Sequence, residues 1–422
     1  MRRVLATSPS SIVLSMQIAV TQIGARRHYA IPAILERAGL LEGFYTDLCA
    51  SFGPLRLARA VVPPRMQPEG LKRLLAREVD GVPRSKIRCF PRFGFARAMS
   101  RRNAKSPASL IRSYLEANER FGRLITRRGL DGADTVYGFN GAALEIFQYA
   151  KRNGMRTILE QTDAPVAVEE ALLGEERQRW EGWEFEGARP EDWRPMADRE
   201  AAEWRLADLI VCGSEYVREG VRTQSGPIER CAVVPYGAKR EFFRTGPRVP
   251  ARRELHVLFV GTVCLRKGVP YLMQAAQRLL SKPVVFRVVG PIQVADHAVA
   301  ELGRFVELAG PVPRSAIARE YDWADVLVLP SISEGSANVC YEGLAAWLPV
   351  ITTPNSGSVV RDGQEGYIIP IRDGATLAER IGRLAADRKL LRQLSENAAA
   401  RAREFTWERY AERLVSAIGG RP

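Results

Sequence analysis

The chain has 422 residues, 46% of them hydrophobic and 26% charged, with a formal net charge of +14. That length accommodates two domains with full cores, and that composition excludes disordered, fibrous and membrane-spanning classes. The six cysteines are scattered without a Cys-x-x-Cys pair and read as buried reduced thiols, and the three histidines are too dispersed for a histidine metal site, so no metal is expected.

The charge is uneven. Residues 1–130 hold 24 Lys/Arg against 8 Asp/Glu, a surplus of 16 that leaves the rest of the chain at −2. Such a surplus suggests an anionic partner. An anionic membrane surface carrying a lipid-linked or polyanionic acceptor is the specific expectation, and a merely solvated surface the plain one. The basic residues are not interleaved with aromatics in a nucleic-acid motif, which argues against nucleic acid. Residues 4–23 imitate a signal peptide, but Pro9, Gln17 and Gln22 and the want of a clean cleavage site make them a first strand and its loop. The expected location is cytoplasmic, peripheral on the inner face of the membrane.

Along the chain, residues 10–48 read as strand, loop, amphipathic helix (AIPAILERAG) and short strand, the βαβ grammar of a doubly wound sheet. The turn from Gly24 to His28 lies between strand and helix, where such folds bind ligands. Gly24 is a candidate for close backbone approach, and Arg26, Arg27 and His28 for nearby charge or as exposed helix-start residues. Residues 49–130 contain Pro63-Pro64, Pro68 and a cluster of Arg97, Arg101, Arg102 and Lys105, with no clean apolar face. Residues 134–165 restore strand–helix–strand order. Asp163, past the end of that second strand, either orients an acceptor or caps the next helix. A charged helical hairpin follows over 166–203. Its Trp180, Trp183 and Trp193 either stack on a sugar or pack the helices together. ADLIVCGSEYVREGV (207–221) is a strand and helix. The Pro-, Gly- and Arg-rich run 244–254 marks a boundary, giving domains 1–243 and 244–402, with a final amphipathic stretch 403–422.

Two blocks of the second domain carry chemistry. HVLFVG (256–261) is a strand, and VPYLMQAAQRLL (269–280) a helix that tolerates Pro270 near its start. Arg266, Lys267 and Gly268 between them put two cations at a helix start, an arrangement suited to a diphosphate. It is not a Walker loop, because no Gly-Lys-Ser/Thr follows Gly261. Further on, ADVLVLP (324–330) is a buried strand, and ANVCYEGLAAW (337–347) a helix stopped by Pro349. Glu334 and Glu342 flank its start. Eight residues on one helix would leave them about 80° apart, so Glu334 belongs to the loop and Glu342 to the helix. The N–H groups of residues 335–338 would then face an anion.

These two blocks resemble, respectively, the G-R-x-x-x-x-K-G phosphate motif and the E-x7-E signature of retaining glycosyltransferases of family 4 (glycosyl transferases group 1). The resemblance implies an α/β fold of the GT-B type: two Rossmann-like doubly wound domains facing across a cleft, with a C-terminal helix crossing back. It implies Glu334 at the donor sugar, Lys267 on the diphosphate, and Glu342 on the ribose. Arg266 would substitute for the arginine that Thr262 replaces. Gly261, Thr262, Gly335, Ser336, Ala337, Asn338 and Gly24 would line the donor, and Asp163, His28 and Arg27 the acceptor side. It implies retaining transfer from a nucleotide-diphospho-sugar to a hydroxyl of a saccharide or lipid-linked acceptor, without metal or other cofactor. The alternative is a non-catalytic nucleotide-sugar or carbohydrate-binding protein on the same scaffold. Trp347, where the family often has glycine, is expected near the base pocket or in the core.

Overall fold

The computed structural model describes residues 16–50, 74–75, 77–184, 187–246 and 253–420. Residues 4–15, the prolines at 63, 64 and 68, and linker residues 247–252 lie outside the described set. Short apolar, β-branched runs form two sheets. The first contains β1 (Ile18–Gln22), β2 (Leu41–Thr46), β3 (Ile87–Cys89), β4 (Thr135–Phe139), β5 (Arg156–Gln161), β6 (Leu209–Cys212) and β7 (Cys231–Val233), in the order 3-2-1-4-5-6-7. The second contains β8 (Leu255–Val260), β9 (Val284–Val289), β10 (Glu307–Gly310), β11 (Val326–Leu329), β12 (Val350–Thr352) and β13 (Gly366–Ile368), in the order 10-9-8-11-12-13. The strand pairings are parallel throughout. In each sheet the order reverses beside the first strand. Ligand crevices form there, at the carboxyl ends of β1 and β4 and of β8 and β11.

The helices that position the cleft are α1 (Ala30–Arg37), α2 (Pro91–Asn103), α3 (Pro107–Arg128), α4 (Val166–Arg179), α5 (Pro190–Leu206), α6 (Val269–Arg278), α7 (Asn338–Ala345) and α8 (Trp407–Gly419). Their starts follow ordinary capping chemistry. Ser106 accepts from the Ser109 N–H ahead of Pro107, and Thr406 accepts from the Arg409 N–H. Contrary to the reading of 49–130 as lacking an apolar face, α3 buries Ile111, Ala117, Phe121 and Ile125. That stripe is diluted in the sequence by arginines on the opposite side. By contrast α2 leaves Phe95 and Met99 about half exposed, at 52% and 55%.

Helix α8 returns to the first lobe, where Arg156 Nη1 donates to the Ile418 carbonyl at 2.7 Å. Deeper in that contact, Arg27 forms an ion pair with Glu160, donates to Tyr410 Oη at 2.7 Å and lies against the Tyr236 ring, 3.4 Å from its centroid. The Arg27 and Glu160 side chains are only 11% and 1% exposed. Backbone at Arg27, His28 and Tyr29 is left-handed, with φ of 47°, 52° and 60°. Three such non-glycine residues in a row are costly and persist only where surrounding contacts hold them. Breaking a buried ion pair from one side strands the other charge. Arg27→Ala should therefore cost about 3–5 kcal/mol, read as a lower thermal midpoint. Adding Glu160→Gln should recover part of the loss, and a midpoint unchanged in the single variant would contradict the latch.

Candidate functional site

Two loops, following the neighbouring strands β8 and β11, make the second lobe's half of the site. After β8 the chain passes Gly261 and Thr262 into one tight turn, Leu265–Lys267, and then Gly268 at φ +68°. A Cβ on Gly268 would lie 1.8 Å from the Pro330 carbonyl oxygen, so only glycine lets the loops close together. The Ile332 N–H then donates to the Arg266 carbonyl at 2.8 Å. Lys267 Nζ forms an ion pair with Glu334 Oε1, and Arg266 Nη1 stands 3.6 Å from Glu334 Oε2. Glu334 is 9% exposed. Gly261 backs this pair, since a Cβ there would lie 3.7 Å from Lys267 Cε. Thr262 is half-buried beside it.

The first lobe closes on the same point. A Cβ on Gly335 would meet the Thr162 carbonyl oxygen at 1.9 Å and the Asp163 Cα at 2.9 Å. Asp163 thus stands at the cleft edge beside the Glu334 loop. It does not cap α4, whose N-cap is Pro165 and has no side-chain bond.

Several expected donors are already engaged. Helix α7 begins at Asn338, one residue after the expected start, and the Ala337 N–H donates to the Ser356 carbonyl at 3.0 Å. Of the four expected amides, that of Ala337 is therefore already taken. Ser336 turns inward, with its hydroxyl 2.8 Å from Tyr341 Oη and 3.2 Å from the Gly357 carbonyl. Both shifts come from the 353–357 turn packing under the loop, a contact with no local signature. Gly24 also departs from expectation: its N–H donates to Asp47 Oδ1 at 2.9 Å, and it lines neither of the two cavities described here.

A cavity of about 400 Å³ opens between the lobes beside α7, lined by His28, Lys239, Arg314, Asn338, Glu342 and Trp407. Tyr321 Oη donates to Glu342 Oε2 at 2.6 Å, which fixes one carboxylate oxygen of a half-buried group. Burial raises the Glu342 pKa, against the Tyr321 hydrogen bond. Lys239 and Arg314 face it from the stretch ahead of the linker and from the segment after β10; neither stood out in the sequence, since no motif marks either. His28 joins them rather than the acceptor side, accepting from Arg314, and burial followed by the Arg314 charge lowers its pKa. Arg27 is likewise removed from the acceptor side by the Glu160 and Tyr410 contacts, although it borders this cavity. Trp180 and Trp183 pack the hairpin rather than offer a sugar platform. Trp180 and Trp183 pack together at 5.0 Å, and Trp180 packs edge-on to Tyr271 of α6. Trp347 donates to the Arg244 carbonyl at 3.2 Å, so it braces the linker instead of a base pocket.

Glu169 of α4 was missed, for it sits in a glutamate-rich hairpin with nothing local to distinguish it. It accepts from Ser333 Oγ at 3.1 Å and lies 4.0 Å from Arg266. Burial pushes its carboxyl up to about 7, opposed by Arg266 and reinforced by Asp163 and Glu334.

Residues 254–387 match the model of the glycosyl transferases group 1 family. That segment belongs to the family. Among relatives, the D-inositol 3-phosphate glycosyltransferase of Geodermatophilus obscurus is 32% identical over 55% of this chain and 56% of its own. The one from Nocardia farcinica is 33% identical over 50% and 52%. The chain thus spans about half the length of these relatives. Solved structures extend the likeness across both lobes. Anabaena HepE in complex with UDP and glucose superposes with a TM-score of 0.61 at 14% identity, covering 96% of this chain and 99% of that one. Sucrose-phosphate synthase from Thermosynechococcus elongatus gives 0.60 at 19%, covering 96% and 98%. The fold is GT-B, and the family segment contains Arg266, Lys267, Glu334 and Glu342.

Glu169 supplies a pH signature. Between its ordinary value of 4.5 and about 7, the folded chain keeps a proton that the unfolded chain releases. Stability from this group is therefore complete below that window and is lost as pH rises through it. Glu169→Gln cannot lose the proton, so its melting midpoint relative to the parent should climb as pH rises from about 5 to about 7. Glu203, also pushed up to about 7 by burial, titrates in both proteins. A constant difference between the two melting curves would show that Glu169 does not titrate there.

Proposed function

We propose that the protein is a retaining, metal-independent glycosyltransferase. It moves a sugar from a nucleotide-diphospho-sugar to a hydroxyl of a saccharide or lipid-linked acceptor. The observation that carries this reading is the convergence of Lys267 and Arg266 with Glu334 at the β8/β11 switch point, beside an interlobe cavity bearing Glu342. The leaving diphosphate needs charge stabilisation that grows toward the transition state. Two fixed cations and the amides at the start of α7 supply it. Glu334 is the counter-ion that the fold itself gives them. A bound diphosphate takes that place, and Glu334 turns to the sugar hydroxyls. Glu342, with one oxygen fixed by Tyr321, offers the other to the ribose. The bond from the anomeric carbon to the phosphate oxygen breaks, and the acceptor oxygen joins that carbon on the same face. The acceptor proton passes to the departing phosphate. Asp163, at the first-lobe edge, orients the acceptor hydroxyl.

Lys267→Ala should stay folded and lose about 10²–10³ of the UDP-glucose turnover. Glu342→Ala should weaken UDP binding by roughly tenfold to a hundredfold in calorimetry. Chelation by EDTA should leave the parent unchanged. Undiminished turnover in Lys267→Ala refutes the diphosphate assignment. UDP-glucose binding with no release of UDP to any acceptor favours the non-catalytic alternative.

We infer further that the basic first lobe rests on an anionic membrane. The support is the surplus of 16 positive charges in residues 1–130, with exposed Phe95 and Met99 among the arginines of α2. The protein should cosediment with phosphatidylserine vesicles at low salt and with neutral vesicles far less. Equal partition would end this part of the reading.

A further inference from the structure

A second cavity, of about 190 Å³, lies wholly in the first lobe, at the switch point between β1 and β4. Arg26, Arg97, Tyr114, Asn140 and Glu200 are among the residues that line it. Its floor includes Phe139, whose ring lies 5.6 Å from the Arg26 guanidinium.

The charges around it do not balance. Arg97, from α2, stands 3.3 Å from Asp47 Oδ2. That one carboxylate also faces Arg77 at 3.5 Å and accepts the Gly24 N–H at 2.9 Å. Arg97 Nε is buried and has no hydrogen-bond partner. Burial lowers the Arg97 pKa; Asp47 opposes this, while Arg101 and Arg77 add to it. Across the cavity Arg26 Nη1 reaches only neutral groups, Thr162 Oγ1 at 2.9 Å and Asn140 Oδ1 at 3.4 Å. Among the described residues no ion pair to Arg26 is formed. The acidic residue on the wall, Glu200, is saturated by Gln161 Nε2 at 2.6 Å, the Val166 N–H at 2.9 Å and Asn140 Nδ2 at 3.1 Å. Burial raises its pKa, against these three hydrogen bonds. Two guanidinium groups thus face a small cavity without full counter-charge, one with a buried donor unmet. A buried unmet donor and an under-compensated cation both favour an anionic occupant. The site is also placed for transfer, because Thr162 and Asp163 connect its rim to Gly335 and the Glu334 loop.

We propose that this cavity binds an anionic group, a phosphate monoester or carboxylate, on the sugar acceptor, held between Arg97 and Arg26. The proposal rests on the transfer reading and narrows its acceptor to an acidic one. Its volume suits one ring or one headgroup, below the size of ordinary ligand pockets of about 300–1,000 Å³.

The test is calorimetric titration of the full chain with glucose 6-phosphate, glucuronate, glucose and inorganic phosphate. At least one of the two sugar anions should bind, and Arg97→Gln should weaken that binding by roughly tenfold to a hundredfold. Arg97→Lys should restore part of it, and Arg26→Gln, which removes no ion pair of the fold, should weaken it in the same direction. Anion binding at the diphosphate cations would be indifferent to these changes. Equal affinity in parent and both Gln variants overturns the proposal. So does binding of inorganic phosphate alone, which would mark a simple ion site, and so does glucose binding as tightly as its acidic forms. A parallel UDP titration separates the two readings. Arg97-dependent sugar-anion binding without UDP binding keeps this cavity and removes the transfer function. UDP binding without sugar-anion binding does the reverse.

Discussion

A buried carboxylate between two cations organises this molecule. Glu334 lies almost out of solvent, in an ion pair with Lys267 and 3.6 Å from Arg266. Burying any one of these charges alone would cost several kcal/mol, and the trio is tolerable because its members compensate one another. The arrangement needs two loops from neighbouring strands at close range, which is why Gly268 must lack a Cβ against Pro330. It also leaves the cations in a state that a stronger anion can take over.

The first lobe is coupled to that centre at several points. Gly335 presses on Thr162, and Ser214 Oγ donates to the Gly335 carbonyl. The α4–α5 hairpin reaches across as well: Tyr271 Oη donates to Glu176 at 2.8 Å, and the Leu265 N–H donates to Glu184 at 2.7 Å. The hairpin therefore braces the turn that carries Arg266 and Lys267. At the opposite end of the cleft, Arg27 joins the strained 27–29 segment to Tyr236 before the linker and to Tyr410 of α8.

Much of the fold was legible because doubly wound sheets have a simple grammar. A β-branched apolar run, a glycine-bearing loop and an amphipathic helix repeat along the chain, and periodicity alone marks each unit. The Arg266–Lys267 and Glu334–Glu342 blocks were legible for the same reason, since their spacing fits a strand–loop–helix unit. What failed was any reading in which a side chain's partner lay far along the chain. Ser336 turns to Tyr341 and Gly357, Arg27 to Glu160 and Tyr410, Trp347 to Arg244, and none of these pairings leaves a local trace. Glu169 was invisible because its raised pKa comes from burial under the opposite lobe.

The amino-acid sequence by itself determined the two α/β lobes, the strand–loop–helix units that carry the charged blocks, and the residues of a family segment. Those properties follow from short-range patterning, where neighbours within a turn or two decide the outcome. Tertiary structure alone decided which cations meet which carboxylates, which donors remain open to a ligand, and that Arg26 and Arg97 border one cavity. Those pairings join positions tens to hundreds of residues apart, and electrostatics over a few ångströms depends on distance in space rather than along the chain.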